Sequence, residues 1–586
     1  MKQRPQENIQ YLFVIGILLA LTVLGRFVFL QWDLTEENRY TLTKPTHDLL
    51  KNLDEPIYVS VLLEGEFPAG FKRLQRATRE MLDEFKNRNG FIQYAFDDPR
   101  AGDIEMQNAR ADELAKDGII PTRLRIRESG EATDKLIYPY AIFRYGMEMY
   151  VVNLLENERP GVDSEWLLNN SITLLEYKFA NAIQKLRKSR HANIVFTSGH
   201  DELLPQQTSW LEKELRRSYN TAHVDLDTTV RIPEEIDLLI VARPRSTFST
   251  HELFLIDQYL VNGGNAIFLI DALDVSLDSI NQSRDFLPTA FELNLDPLFF
   301  RIGVRIEPNL LLDLECTRIP LVVGSLGDRV QTELFPWYYH PLLSPKSDHP
   351  IVKDMDRVNL MFPSTIDTIQ SRPGLHKTIL VTSSQYSRIQ RIPVRLNFEI
   401  LRYEPEPDKF NNGNQPVAVL VEGEYASLFE NRITEELLAL TRQVNVEFRV
   451  TNKACKVLVA TDGDLAKNLY HTETGEIREL GYNKFENIVF QGNQTFMLNA
   501  IEYMLDADGI LAARGKEIKL RMLDTVRAKE AAMTWRLLNI AVPVLLVILS
   551  TMIFNFRRKR KYGFTLKDKI SSSRSPQSPK GEVHAP

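Results

Sequence analysis

Hydrophobic and polar positions along this chain fall into distinct regimes. Long apolar runs lie near both ends: residues 11–31, YLFVIGILLALTVLGRFVFLQ, charged only at Arg26, and residues 537–556, LLNIAVPVLLVILSTMIFNF, with no charge. At 1.5 Å per residue each reaches about 30 Å, the thickness of a bilayer's hydrocarbon core, so each predicts a membrane helix. The first run ends in bulky Phe29, Leu30 and Gln31, with Trp32 next, rather than in a small-x-small cleavage site, which favours an uncleaved anchor over a signal peptide. Arg26 lies near the run's end, where it can snorkel, and Trp32 sits at the expected interface.

Between these runs the period changes. IYVSVLL (57–63) and FIQYAF (91–96) read as strands flanking a helix with Phe71, Leu74, Met81, Leu82 and Phe85 at helical spacing. Pro121 then leads into RLRIR, and YAIFRY (140–145) with MYVVNLL (149–155) reads as a hairpin. This order predicts a thioredoxin-like α/β unit over 32–190, closed by a helix at 165–189.

Residues 191–300 alternate buried strands with amphipathic helices: IVFTS, SWLEKELRRSY, HVDLDT, IDLLIVARP, a helix with Leu253, Leu255, Ile256, Tyr259 and Leu260 on one face, then NAIFLID. Ser249 and Glu252 form a capping box at the start of that last helix, and Gly263-Gly264 ends it. Such alternation predicts a doubly wound parallel sheet. A looser second α/β region spans 301–510, with LVVGSL, TILVTS, VAVLVEG and KVLVATD as buried-strand runs between Pro-rich loops. QTFMLNAIEYML (494–505) is helical, and a membrane-proximal helix occupies 511–536. The fold class expected is therefore α/β, a large body flanked by one transmembrane helix at each end.

Charge sets an expected orientation. RRKRK (557–561) follows the second run and Lys2 and Arg4 precede the first, so the positive-inside rule puts residues 1–10 and the basic, then disordered, 557–586 tail in the cytoplasm. The body is then exported, periplasmic in a bacterium, with both spans in the inner membrane. A net charge of −7 over 586 residues argues against nucleic acid as a partner. Two distant cysteines, Cys316 and Cys455, exclude a disulfide scaffold or a Cys-based zinc site.

Known catalytic patterns are missing. There is no GxxxxGK[ST] phosphate loop and no GxSxG elbow, and His251-Glu252 fails the HExxH spacing because Leu255 holds the fifth position. Ten scattered histidines show no paired metal-ligand spacing, so neither metal nor cofactor is expected. What stands out is Ser198, Gly199, His200, Asp201 and Glu202 at the end of a strand, with Gly263 and Gly264 preceding another. Ends of strands in α/β sheets carry ligands. The loop is read as a ligand or partner loop, with a solute-binding module or a hydrolase centred on His200 and Glu202 as the alternative.

Seven segments resemble one family. DLTEENRYTLT (33–43), PAGFKRL (68–74), SGHDE (198–202), LIDQYLVNGGNAIFLID (255–271), PWYYHPLLSP (336–345), LVEGEYASLF (420–429) and ARGKEIKLRMLD (513–524) are similar to the GldG family, the membrane-anchored auxiliary component of the gliding-motility ABC transporter. The resemblance implies a non-catalytic partner of separate ABC permease and ATPase subunits, linked to gliding motility and secretion. It also implies a class I glutamine amidotransferase-like fold for 191–300, though the nucleophilic Cys of those enzymes has no counterpart here. The expected role is coupling of the ATPase and permease to cell-envelope or secretion components. Lys516, Lys519, Arg521, Arg527 and Lys529 then face membrane lipid or an acidic partner.

Overall fold

The computed structural model describes residues 41–65, 67–128, 131–156, 164–187, 191–283, 285–326, 329–369, 374–435, 448–451, 453–506, 508–515 and 531–562, together with Gly16. Apart from Gly16, the expected first span (11–31) lies outside the described residues, as do residues 516–530, with most of the expected membrane-proximal helix, and the tail from 563. The chain divides into two units, Met1–Ile518 and Lys519–Pro586.

The larger unit begins with helix α1 (Lys44–Lys51), strand β1 (Ile57–Val61), helix α2 (Ala69–Arg88) and strand β2 (Ile92–Phe96). β1 and β2 are parallel, with Ile57 opposite Ile92, and α2 crosses between them with Phe71, Leu74, Leu82 and Phe85 buried. Helix α3 (Ile104–Lys116) and the hairpin of β3 (Thr122–Glu128) and β4 (Glu131–Ile137) lead to β5 (Tyr140–Tyr145) and β6 (Glu148–Asn153). β5 pairs antiparallel to β1, giving the order β2-β1-β5-β6.

The single helix expected over 165–189 is broken into α4 (Ser164–Thr173) and α5 (Leu175–Arg187). Ser171 Oγ donates to Leu167 O at 2.8 Å and Thr173 Oγ1 to Asn169 O at 3.0 Å. Hydroxyls bonded back to the preceding turn weaken and bend a helix, and two of them sit just before the break.

A second sheet of seven strands forms the centre of the unit. Its first part is β7 (Asn193–Ser198), α6 (Pro205–Leu215), β8 (Asn220–Asp225), β9 (Ile236–Ala242), α7 (Thr250–Val261) and β10 (Asn265–Leu269), the alternation read from the sequence. The chain then makes a long excursion. It includes β11 (Asn309–Asp313) and a ribbon of β12 (Cys316–Leu326) and β13 (Arg329–Leu343); β14 (Leu375–Thr382) rejoins the sheet at its edge, β15 (Ser387–Arg391) pairs with β11, and β16 (Pro416–Glu424) and β17 (Ala454–Ala460) complete the sheet. The order across the sheet is β14-β16-β17-β10-β9-β7-β8, and β17, β10, β9, β7 and β8 are mutually parallel.

Alternate residues of the parallel strands feed two cores, as expected for a sheet covered on both faces. Leu239 and Val241 pack with α7 through Phe254 and Ile256, while Leu238 and Ile240 pack with Leu211 of α6 and with Phe496 and Ile501 of helix α8 (Gln491–Leu505). Each fully buried side chain of this kind contributes roughly 1.5–3 kcal/mol. A further core surrounds Trp337, which is fully enclosed.

LVVGSL, expected as a buried strand, is instead part of the β12–β13 ribbon, where Val322 is 68% exposed. The same strand buries Ile319 in the core around Trp337 but leaves Val322 and Val323 in solvent, and composition alone does not reveal that. After α8 the chain places Ile510, Leu511 and Ala513 in the core of the first sheet. The second unit contains helix α9 (Ala532–Tyr562), of which Ala532–Arg560 is long and apolar enough to cross a membrane, with none of its apolar window buried.

Candidate functional site

The parallel strands run in the order second, first, third, fourth: β8-β7-β9-β10. The chain leaves β7 toward β8, then jumps back to the other side of β7 to form β9. Loops at the carboxyl ends of the strands flanking such a reversal diverge, and ligands of open α/β sheets bind there. The loop after β7 is Gly199–Leu204, so His200 and Glu202 sit beside the reversal.

Local chemistry folds this loop tightly. Gly199 has φ 109°, and a Cβ there would lie 2.7 Å from Asp225 Oδ1, so both conformation and space require glycine. Asp201 follows at φ 56°, a left-handed conformation that Asp tolerates. Leu203 N donates to Ala242 O at 3.1 Å, and Arg245 N donates to His200 O at 2.8 Å, lacing the loop after β7 to the end of β9. Ser246 Oγ donates to Asp201 Oδ2 at 2.6 Å.

His200 is 2% exposed and stacks on Phe248, ring centroids 3.8 Å apart. Its Nε2 lies 3.0 Å from Glu252 Oε2, and its Nδ1 lies 3.7 Å from Glu202 Oε1, beyond hydrogen-bond reach. Glu202 is itself fixed, accepting from Thr197 Oγ1 at 2.9 Å and from the His200 backbone N at 2.6 Å. Burial lowers the His200 pKa, but the charges of Glu202 and Glu252 and the hydrogen bond to Glu252 outweigh it, and the net shift is upward. Burial likewise raises Glu202, and bonds from His200 and Thr197 more than reverse it.

Glu252 performs the capping role read from the sequence: its Oε2 accepts from Ser249 N at 2.6 Å, while Ser249 Oγ accepts from Glu252 N at 3.3 Å. The structure adds that the same carboxylate meets His200. It also brings in Asp227, from the loop after β8, which single-chain spacing did not mark. One ligand atom from each of His200, Asp227 and Glu252 lies within 4.8 Å of the others. Contact with the Glu252 carboxylate is the chief cause of a raised pKa at the exposed Asp227.

The seven residues singled out in the sequence do not converge. Ser198, Gly199, His200, Asp201 and Glu202 lie at the carboxyl end of β7, whereas Gly263 and Gly264 precede β10 and therefore lie at the amino edge of the same parallel sheet. Gly264 packs against Tyr259, where a Cβ would come within 2.4 Å of the ring, and both glycines border a cavity of about 920 Å³.

A second cluster at the carboxyl edge was not foreseen. Arg243, at φ 60° after β9, reaches Asp464 Oδ1 with Nη1 at 3.1 Å and Asp271 Oδ2 with Nε at 3.6 Å. Asp271 accepts from Gly463 N at 2.7 Å, and Asp462 accepts from Met361 N at 2.7 Å. Burial pushes Asp271 up to about 6, with the Asp464 charge acting in the same direction. The available signal was an acid directly after each of two buried runs, FLID and VATDGD. Both cysteines are free, and burial pushes the thiols of Cys316 and Cys455 up to about 12.

Comparison with known proteins adds independent findings. The sequence model described as "ABC-type uncharacterized transport system" matches residues 191–500, and a model for a domain of unknown function matches residues 36–144. A Borreliella burgdorferi protein, named only as an uncharacterized protein, is 20% identical over 447 residues, spanning 74% of this chain and 81% of its own. Among solved structures, the mmIFT52 N-terminal domain superposes with a TM-score of 0.30 at 12% identity, covering 54% of this chain and 99% of that domain. A thuA-like protein of Parabacteroides merdae gives a TM-score of 0.26 at 12% identity, over 57% and 94% of the two chains.

Proposed function

We infer function from the premise that this chain belongs to the ABC-type uncharacterized transport system family, as an auxiliary component of such a system. The chain is membrane-associated, with α9 as its candidate span. We propose that it does no chemistry of its own and couples the ATPase and permease subunits of the transporter to partners of its folded body. The finer assignment, to the GldG family and gliding motility, rests on the seven sequence segments that resemble that family. In this reading residues 11–31 form a second span, both termini are cytoplasmic and the body is periplasmic, at the inner membrane.

The observation that carries the coupling role is the path of the chain out of the body. α8 packs on the central sheet, and Ile510, Leu511 and Ala513 then enter the core of the first sheet, so one segment grips both sheets before the sequence continues to α9. In this reading, force on the span reaches both sheets through that covalent connection. The proposed boundaries follow: 32–190 as a thioredoxin-like unit, 191–300 as an amidotransferase-like domain, 301–510 as a second α/β region. The β2-β1-β5-β6 order supports the first assignment, and the parallel strands β8-β7-β9-β10 support the second.

The hydrolase reading loses support at His200. Among the described residues its side-chain partners are Glu252, Glu202 and Phe248, and no Ser, Thr or Cys side chain hydrogen-bonds it. A buried imidazole without a nucleophile does not make a hydrolytic centre. The test is purification of the tagged full chain from its native membranes in mild detergent. Co-purifying ABC permease and ATPase subunits are expected; recovery of the intact chain alone would overturn the coupling role.

A further inference from the structure

We propose that His200, Asp227 and Glu252 form a divalent transition-metal site. The residues come from separate elements: the loop after β7, the loop after β8 and the first turn of α7. Their ligand atoms nevertheless lie within 4.8 Å of one another. The β7–β8 register produces this convergence by pairing Ser198 with Asp225, which sets Gly199 beside Asp227. A Cβ on Gly199 would lie 3.4 Å from Asp227 Cγ and 2.7 Å from Asp225 Oδ1, so glycine allows the two loops to close.

A separate observation lies on the far side of the imidazole. Among the described residues, His200 Nδ1 is buried without a hydrogen-bond partner, 3.7 Å from a Glu202 oxygen that is held in place by Thr197. A neutral ring donating from Nε2 to Glu252 turns the Nδ1 lone pair toward that carboxylate, acceptor against acceptor. A cation on Nε2 reverses the tautomer: Nδ1 then carries the proton and directs it at Glu202. A carboxylate behind a ligating histidine is the usual orienting partner in metal sites, fixing both tautomer and ring.

Charge and donor type narrow the ion. Glu202, Asp227 and Glu252 all lie around this imidazole, an excess of negative charge that favours a dication. One imidazole nitrogen with two carboxylates suits zinc, manganese or cobalt rather than magnesium or calcium, which take all-oxygen shells. Ligand atoms around tetrahedral zinc are about 3.3 Å apart, given bonds of about 2.0–2.2 Å. His200 Nε2 and Glu252 Oε2 already stand at 3.0 Å, and Asp227, exposed on its loop, supplies the remaining closure. Three protein ligands leave a fourth coordination position open.

The proposal does not depend on the coupling role, and its failure would leave co-purification with transporter subunits untouched. The experiment uses the full chain in detergent, carrying no histidine tag, stripped with chelator and then equilibrated with zinc, manganese or cobalt. After gel filtration, metal analysis should find one equivalent of at least one of these ions per chain, and that ion should raise the thermal midpoint. Asp227→Asn, at an exposed side chain, should lower the affinity at least tenfold. Glu202→Gln, which touches no metal, should lower it by about 10–100-fold. Lack of stoichiometric retention of all three ions, or equal retention by wild type and Asp227→Asn, overturns the proposal.

Discussion

Lys185 Nζ lies 3.3 Å from Glu502 Oε1, linking α5, which packs on the first sheet, to α8, which packs on the second. Both side chains are under one-fifth exposed. Glu502 also accepts hydrogen bonds from Tyr177 and from Asn181 Nδ2. Burial opposes the charged form of each partner, yet the pair overcomes it: Lys185 is raised and Glu502 lowered from their ordinary values. Removing one partner strands a charge that burial disfavours. Lys185→Met should therefore destabilise the full chain by about 3 kcal/mol, while Lys185→Met with Glu502→Leu should lose clearly less. Urea unfolding in detergent reads both.

Gly463 and Arg243 impose a different constraint, one of space. A Cβ on Gly463 would sit 2.6 Å from Arg243 Cβ and 3.0 Å from its Cα, and Arg243 is already at φ 60°. Gly463→Ala should cost about 1–3 kcal/mol, the range for overpacking. Arg243→Gly removes the opposing side chain and the conformational strain together. The double variant should then be more stable than the sum of the singles by about 1 kcal/mol, a coupling that a double-mutant cycle in urea measures.

Contacts of this kind mark where a linear reading reaches and where it stops. β7, β9 and β10 were legible as short buried runs and β8 as the strand after an amphipathic helix, and Ser249 with Glu252 announced the start of α7. β17 was legible as a strand but not as the parallel neighbour of β10, because residues 270–453 separate them in sequence. Nothing local encodes that pairing. The site divides in the same way. His200 and Glu202 were marked by their place after a strand, whereas Asp227 enters through strand register and Glu252 through the approach of α7. Gly263 and Gly264 misled by symmetry: a glycine pair before a parallel strand and a glycine after one look alike in sequence but lie at opposite edges of the sheet.

Asp271 carries a pH signature. Its pKa is raised to about 6, by burial first and then by Asp464, against an unfolded value near 3.8. The native state thus holds this proton more tightly than the unfolded chain. Ionising the group costs stability, a cost fully present above about pH 6 and absent below pH 3.8. Asn can still accept from Gly463 N, as Asp271 does at 2.7 Å. Asp271→Asn should raise stability by about 1–3 kcal/mol at pH 7.5, since each tenfold gain in proton affinity on folding corresponds to about 1.4 kcal/mol. At pH 3.5 the difference from wild type should vanish. A gain that persists there would assign the effect to packing instead of ionisation.

Membrane attachment separates one anchor from two. Ala532–Arg560 suffices in length and apolarity for a span, and it ends in the cationic side chains Arg557, Arg558, Lys559 and Arg560. A chain truncated after residue 530 lacks that helix but retains the apolar run at 11–31. With two anchors, the truncated chain stays in the membrane pellet after an alkaline carbonate wash, and only removal of residues 1–31 as well releases it. An Arg at the middle of either run adds roughly 3 kcal/mol to its insertion, so Leu545→Arg should weaken attachment only in the variant that lacks residues 1–31. Release of the single truncation by carbonate would leave α9 as the sole anchor and take with it the assignment of both termini to one side.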